Sequence, residues 1–258
     1  MIWQSSLPPS QTSLELKGVV WSAYWRAGTA LDALDRASEV MASFFLWTLC
    51  QDNADLYEHL LQVGTLTSQL AAHLLLNQQE QMRVTTAALL HDVGKLMLPR
   101  TLLDKPSKLS PEESALIQQH CVRGARVLKS LHVEEGIIQL VSHHHERWDG
   151  QGYPAGLAGC AIPFGARLIA IADAYVVMTT SRPYQAARGL QSALRELEQH
   201  AGTQFDPLLV EHCLPFLRAG GHQIGRAHAQ DQWQAARSLD GALEGLPALA
   251  CSQAGGRP

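Results

Sequence analysis

The chain has little charge, no long apolar run and no cysteine framework, and each absence excludes something. Charged residues make up 17% of its 258 residues, below the roughly 25% usual in soluble domains. Twenty Lys+Arg against 24 Asp+Glu leave a net charge of −4. No basic excess points to a nucleic-acid polymer or an anionic membrane as partner. The most apolar stretches, residues 42–50 and 168–178, fall short of the ~18 residues that span a bilayer, and the second contains Asp173. The N-terminus has no basic stretch followed by a long apolar one, which argues against a signal peptide. Five cysteines, an odd number without CxxC spacing, favour reduced thiols in the cytoplasm over a disulfide framework or a zinc ribbon.

What is present is a 46% hydrophobic content and twelve histidines. The length predicts one or two domains with a sizeable core. Residues 1–28 read as a poorly defined lead-in, because Pro8, Pro9 and small polar neighbours oppose regular structure. Residues 29–50 read as an N-terminal helical segment, 51–218 as the main domain, and 219–258 as an Ala/Gly/Gln-rich tail, partly disordered, with at most a short helix near 232–243. Apolar residues at three- and four-residue intervals predict helices over 32–50 and 56–76. Further helices are expected over 80–94, from Ser110-Pro111-Glu112-Glu113 through His120, from Glu134 into His143, over 164–180, over 190–200, and after Asp206-Pro207. The Ser110 stretch is a capping signature with Pro at the first helical position. Residues 149–163 hold four glycines and two prolines and read as a loop. No strand-like alternation and no repeat is apparent, so the fold class is all-α.

Adjacent His91-Asp92 follows an apolar run. Burying both side by side is unfavourable by several kcal/mol unless a metal or other partners compensate; otherwise the pair faces solvent at a helix end. His144-His145-Glu146, with Asp149 three residues on, offers nitrogen and oxygen donors suited to Zn, Fe, Mn or Ni, whereas His143 reads as a solvated neighbour. Asp55 and His59 share one helical face at i, i+4. His120, taken alone, reads as a structural histidine. Asp173 lies in an apolar segment and needs a cation or strong donors.

Together these residues resemble one family, the HD-GYP subgroup of the HD phosphohydrolases. The order is His59, His91-Asp92 with Gly94-Lys95, His120, His144-His145-Glu146 with Asp149-Gly150-Gln151-Gly152-Tyr153-Pro154, then Asp173. The stretches 105–113, Arg182-Pro183-Tyr184 and 202–207 are also similar to that family, and the resemblance covers about residues 50–217. It implies an HD-type helical bundle around a di- or trinuclear metal site, with iron or manganese favoured. It further implies hydrolysis of cyclic di-GMP to pGpG and/or GMP in bacterial second-messenger signalling, by attack of a metal-activated hydroxide on phosphorus. On this reading His59, His91, Asp92, His120, His144, His145 and Asp173 are metal ligands, Asp92 bridges two ions, and Asp55 stands where some members use a glutamate for a third.

The same resemblance gives roles to residues near the metals. Lys95 would hold phosphate oxygens or the nucleophile, or else it is a cation at a helix C-terminus. Gly150 and Gly152 let the loop turn tightly beside the metals. Tyr153 either stacks on a guanine base or packs the loop, and Arg182 meets a substrate phosphate. The GYP loop of Asp149, Gly150, Gly152, Tyr153 and Pro154 is a surface for diguanylate-cyclase (GGDEF-type) partners. Residues 19–21 and 43–47 either pack on the bundle or form an apolar interface, for instance of a homodimer.

Three positions depart from the family pattern. Gln62 stands in place of an arginine. Val176 replaces the second aspartate of DxxD, a loss of second-layer orientation that typically lowers metal affinity or activity 10–100-fold. Gln185 replaces a basic residue near Arg182. These departures keep a second reading in view, a weakened module that binds cyclic di-GMP or a partner protein. A third reading is hydrolysis of another cyclic dinucleotide such as cyclic GMP-AMP.

Overall fold

The computed structural model describes residues 53–180 and 189–220. The helices predicted at 32–50 and 232–243, the apolar stretches 19–21 and 43–47, Arg182 and Gln185 lie outside them. Nine α-helices run in chain order among the described residues: α1 Ala54–His73, α2 Gln78–Leu90, α3 Arg100–Leu103, α4 Pro111–Gln118, α5 His120–Ser130, α6 Glu135–His143, α7 Phe164–Thr179, α8 Leu190–Gln199 and α9 Pro207–Arg218. Short 3-10 turns sit at Val93–Met97 and Gly159–Ala161. No strand occurs among the described residues; the nearest thing to one is a single bridge between Ala201 and Phe205.

Side-chain caps set the helix starts. Asn53 and Asn77 accept from the Leu56 and Glu80 backbone N–H groups, each the third residue of its helix. Ser110 and Glu113 form a reciprocal capping box with Pro111 at the first helical position. Asp206 accepts from Leu208 and Leu209 N–H ahead of Pro207. Its other oxygen takes the Arg167 guanidinium at 2.5 Å, which ties α7 to the start of α9.

Helix α7 is the central member of the bundle. Leu168, Ile169, Ile171, Ala172 and Tyr175 on it are at most 1% exposed, and α1, α2, α6, α8 and α9 all pack against it. Its apolar residues meet the stripe Val63, Leu66 and Leu70 of α1 and Leu209, Val210, Cys213 and Leu217 of α9 in one continuous core. Val176 belongs to that core at 6% exposure. A second, small cluster of Leu56, Leu60, Leu61 and Leu89 flanks His59 where α1 meets α2.

Two expected helices differ from the pattern. The helix predicted over 80–94 ends at Leu90, after which His91, Asp92 and the 3-10 turn redirect the backbone. The helix predicted to run from Ser110 through His120 divides at Gln119. Helix α4 buries none of its residues, whereas α5 buries His120, Cys121, Gly124 and Leu128, so the chain bends to bring a different face inward. The 3-10 turn and α5 meet at Gly94. A Cβ built there would lie 2.0 Å from the His120 carbonyl oxygen and 2.7 Å from the Gly124 nitrogen. Only a glycine allows the backbone carrying His120 to lie directly on the turn that follows Asp92.

Gly94→Ala therefore forces the two backbones apart. We expect it to destabilise the fold by about 1–3 kcal/mol, the range for overpacking. Gly124→Ala should be milder, because its Cβ would meet nothing closer than 3.2 Å. Thermal unfolding of the two variants tests this order; equal melting temperatures would contradict it.

Candidate metal centre

Five elements deliver the sequence-predicted ligands to one cavity. His59 comes from the middle of α1, His91 and Asp92 from the end of α2, His120 from the first residue of α5, His144 and His145 from the end of α6, and Asp173 from the middle of α7. The helix ends matter, because where the α-helix stops two consecutive side chains can be aimed into the same space. His91 is 0% and Asp92 1% exposed, so the alternative of a solvent-facing pair does not hold. His120 and His144 are buried to the same degree, at 1% each.

Asp92 lies between two sets of donors. Its Oδ2 is 3.4 Å from His91 Nε2 and 3.9 Å from His59 Nε2. On its other side, Oδ1 is 3.1 Å from His120 Nε2 and 4.0 Å from His144 Nε2. Asp173 Oδ1 closes the first set, 3.1 Å from His59 Nε2 and 4.0 Å from His91 Nε2. The second set is closed by His145, whose ring centroid is 4.1 Å from that of His144 and 5.1 Å from that of His120.

Three of the histidines are held in the same way. His91 Nδ1 lies 2.7 Å from the Ala88 carbonyl oxygen, His120 Nδ1 2.7 Å from that of Ile117, and His144 Nδ1 2.7 Å from that of Val141. Each carbonyl is three residues earlier and accepts the Nδ1–H, which leaves the Nε2 lone pair facing the cavity. His91 Nε2 and Asp92 Oδ1 are buried without a hydrogen-bond partner. His120 Nε2 and His144 Nε2 approach to 3.4 Å, two lone pairs facing one another. Orphaned acceptors of this kind in an apolar bundle call for a cation. Imidazole nitrogen with carboxylate oxygen suits divalent transition ions, so the residues fit the metal centre that the sequence motif implies.

The protonation preferences of three of the rings and both carboxylates agree. Burial pushes the His59 and His144 imidazoles below the ordinary value, His144 strongly, and pushes His145 down to about 4. These rings stay neutral, as metal ligands must. Burial also works to raise the carboxyls, but for Asp92 the Lys95 ammonium and the His91 and His120 rings outweigh it, holding the group well below the usual carboxylate range. The hydrogen bond and charge of His59 do the same for Asp173. His91 is raised, because Asp92 and Asp173 beside it overcome its burial.

The glycine-rich loop folds back on the HHE turn. A Cβ on Gly152 would lie 2.3 Å from the Arg147 nitrogen and 2.5 Å from the Glu146 Cα, and Gly150 turns with φ +77°. Tyr153 N–H donates to the His145 carbonyl at 3.2 Å, and its ring centroid is 5.0 Å from that of His145. The peptide bond to Pro154 is cis. Glu146 is buried at 4% exposure and accepts from the Ala155 and Leu157 N–H groups at 2.7 and 3.0 Å, so it clamps the loop. Asp149 pairs with Arg147 at 2.7 Å and accepts from Gln151 N–H, shaping the loop from within. The Trp148 and Asp149 N–H groups bond to the Gln204 and Thr203 carbonyls, which anchors the loop to the 202–207 stretch. Beside His145 and Asp173 opens a cavity of about 330 Å³, lined also by Arg147, Glu196, Gln204 and Phe205.

Several expectations change. Lys95, in the 3-10 turn, places its Nζ 2.5 Å from Asp92 Oδ2, with a quarter of the side chain exposed. Asp55 is exposed in the first turn of α1 and belongs to none of the donor groups close enough to share an ion. His143, read as a solvated neighbour, is only 15% exposed, with Nδ1 3.4 Å from Glu146 Oε1. Gln62 bonds to Glu58 and accepts from the Thr180 hydroxyl at 2.9 Å. Sequence reading missed the loop clamp of Glu146, although its place in the HHE run was a signal. It also missed Cys121, whose Sγ is 3.4 Å from His120 Nε2 and whose thiol is pushed up by burial and by Asp92; only its adjacency to His120 hinted at this.

Comparison with known proteins agrees with this geometry. A family model described as HD domain matches residues 47–209. A cyclic di-GMP phosphodiesterase of Thermotoga maritima is 36% identical over 159 residues, 60% of this chain and 43% of that protein. The 3'3'-cGAMP-specific phosphodiesterase 1 of Vibrio cholerae is 37% identical over 138 residues, 54% of this chain and 32% of that protein. The chain thus spans less than half the length of these curated relatives. Among solved structures, a cyclic GMP-AMP-specific phosphodiesterase of V. cholerae superposes with a TM-score of 0.56 at 21% identity, covering 74% of this chain and 53% of that one. An all-α bundle, the HD pair and HHE run at its centre, and these matches lead to one conclusion: the chain belongs to the HD domain family, in its HD-GYP subgroup.

Proposed function

We propose that the protein is a metal-dependent phosphodiesterase that hydrolyses cyclic di-GMP to pGpG and/or GMP in the cytoplasm. The observation that carries this reading is the position of Asp92, whose two oxygens face two separate sets of imidazole Nε2 atoms. On this reading His59, His91 and Asp173 would hold one ion and His120, His144 and His145 a second, with Asp92 available to both. Iron or manganese is the expected occupant. Divalent ions held there would supply water activation near neutral pH and charge neutralisation at a phosphodiester and its leaving oxygen.

The chain's own residues supply the rest. Nδ1–H bonds to backbone carbonyls orient the rings, and the apolar bundle around α7 keeps bulk water from the buried side. Lys95, partly exposed beside Asp92, presents a cation to phosphate oxygens as they enter. Tyr153, fixed on His145, offers a ring face to a guanine at the mouth, and Arg182 is assigned a phosphate contact by motif alone. The exposed tip of the loop is the surface for a diguanylate-cyclase-type partner. A role for Asp55 in a third ion has no support in the geometry. Because relatives act on cyclic di-GMP and on 3'3'-cGAMP, the second substrate is a specific alternative.

Purified protein should hold two transition ions per chain and convert cyclic di-GMP faster than 3'3'-cGAMP. Asp92→Ala should lose at least one ion and lower turnover by about 100-fold or more, beyond the range for outer-layer residues. Faster turnover of 3'3'-cGAMP would move the substrate assignment, and two tightly bound ions without hydrolysis of either would favour a binding module. Glu146→Gln replaces one acceptor of the loop clamp with an amide NH₂ that opposes a backbone N–H. We expect it to raise KM about tenfold, while the metal count is unchanged; an unchanged KM would detach the loop from substrate binding.

Acid should destabilise the metal-stripped chain. His59, His144 and His145 are lowered in the folded state, so below about 6.5 the unfolded chain binds more protons and stability falls as pH drops. The depressed Asp92 and Asp173 extend the loss below about pH 4. His91, raised, acts in the opposite sense, one group against three. The melting temperature after EDTA treatment should be lower at pH 5 than at pH 7; an equal or higher value would contradict this.

A further inference from the structure

We propose that Cys121 is a protein ligand of the second metal ion, alongside His120, His144 and His145. This rests on the metal-centre reading above and extends it to a donor of a different chemical kind. Cys121 is 0% exposed, and its Sγ lies within 4.8 Å of donor nitrogens of all three histidines, which in turn lie within that distance of one another. Its separation from His120 Nε2 is 3.4 Å. Sulfur and nitrogen donors at about 2.3 and 2.1 Å from one ion would stand about 3.1–3.6 Å apart for angles from a right angle to the tetrahedral one.

A second observation points to the same place. Asp92 Oδ1, on a residue 1% exposed, is buried without a hydrogen-bond partner and lies 3.1 Å from His120 Nε2. His120 and His144 have committed their Nδ1 protons to backbone carbonyls, so their Nε2 lone pairs face each other at 3.4 Å. Sulfur and nitrogen donors thus converge on one small volume, and an unpartnered carboxylate oxygen lies 3.1 Å from one of those nitrogens. As the sulfur–metal bond forms, the thiol proton leaves to solvent and the thiolate becomes a ligand. A thiolate donor biases this ion toward zinc, ferrous iron or cobalt over manganese, while the first ion, held by His59, His91 and Asp173, keeps a nitrogen and oxygen environment.

Cobalt(II) titration of the metal-free full chain reads this directly, because a thiolate–cobalt bond gives a near-ultraviolet charge-transfer band that nitrogen and oxygen ligands do not. We expect uptake of two cobalt ions, with a band for one thiolate that appears with one of them. Cys121→Ser should keep the visible ligand-field bands and lose the charge-transfer band, and its preference for zinc over manganese should fall at least tenfold. Cys213→Ser, at another buried cysteine, should leave the band intact. Two bound cobalt ions without the band in the wild-type protein would overturn the role of Cys121 and leave the metal centre standing. So would a band that survives Cys121→Ser. No cobalt uptake at all would overturn both.

Discussion

The structure is organised around two carboxylates and a ring of imidazole lone pairs buried inside an apolar helical bundle. Asp92 at 1% exposure, with an unpaired oxygen, and His91 at 0%, with an unpaired nitrogen, would be strongly destabilising if nothing met them, since isolated buried polar groups lose several kcal/mol on leaving water. Lys95 answers only one oxygen of Asp92. Around it converge the Nε2 atoms of His91, His120 and His144, whose Nδ1 protons are committed to backbone carbonyls, and converging acceptors call for a cation.

The surrounding fold serves that constraint. Ligands sit at helix ends, where consecutive residues can share a target, and at mid-helix positions of α1 and α7, which pack on each other. The absence of a side chain at Gly94 lets α5 lie on the turn after Asp92, so that His120 reaches the same cavity. The Glu146 carboxylate holds the glycine-rich loop over the histidines through two backbone N–H groups. Two carboxylates outside the centre pair with arginines instead: Asp149 with Arg147, Asp206 with Arg167.

Much of this was legible in the chain, for physical reasons that differ by residue. Caps at Asn53, Ser110 and Asp206 act within one helical turn, so helix starts follow from local sequence. The HD pair, the HHE run and Asp173 were visible as polar groups that apolar surroundings would not tolerate alone. What stayed hidden depends on contacts distant in sequence or on backbone geometry. The break at Gln119 reflects which face α5 turns to the core, and nothing local marks it. Lys95 could be assigned to a phosphate or a helix end, but its pairing with Asp92 required the 3-10 turn. Asp55 shares a spacing with His59, yet the first turn of α1 leaves it exposed. Val176 read as a missing ligand-orienting carboxylate, whereas the bundle uses the position for packing. Beyond its adjacency to His120, Cys121 gave no sign of its neighbours until three helices came together.

The central claim is that Asp92 joins two ions held by imidazole Nε2 atoms. Anomalous diffraction from crystals of the iron- or manganese-loaded protein tests it most directly. The account predicts two anomalous peaks about 3.5–4 Å apart, one on each side of the Asp92 carboxylate, the first against His59, His91 and Asp173 and the second against His120, His144 and His145. A single peak, or peaks that do not contact both oxygens of Asp92, would contradict it.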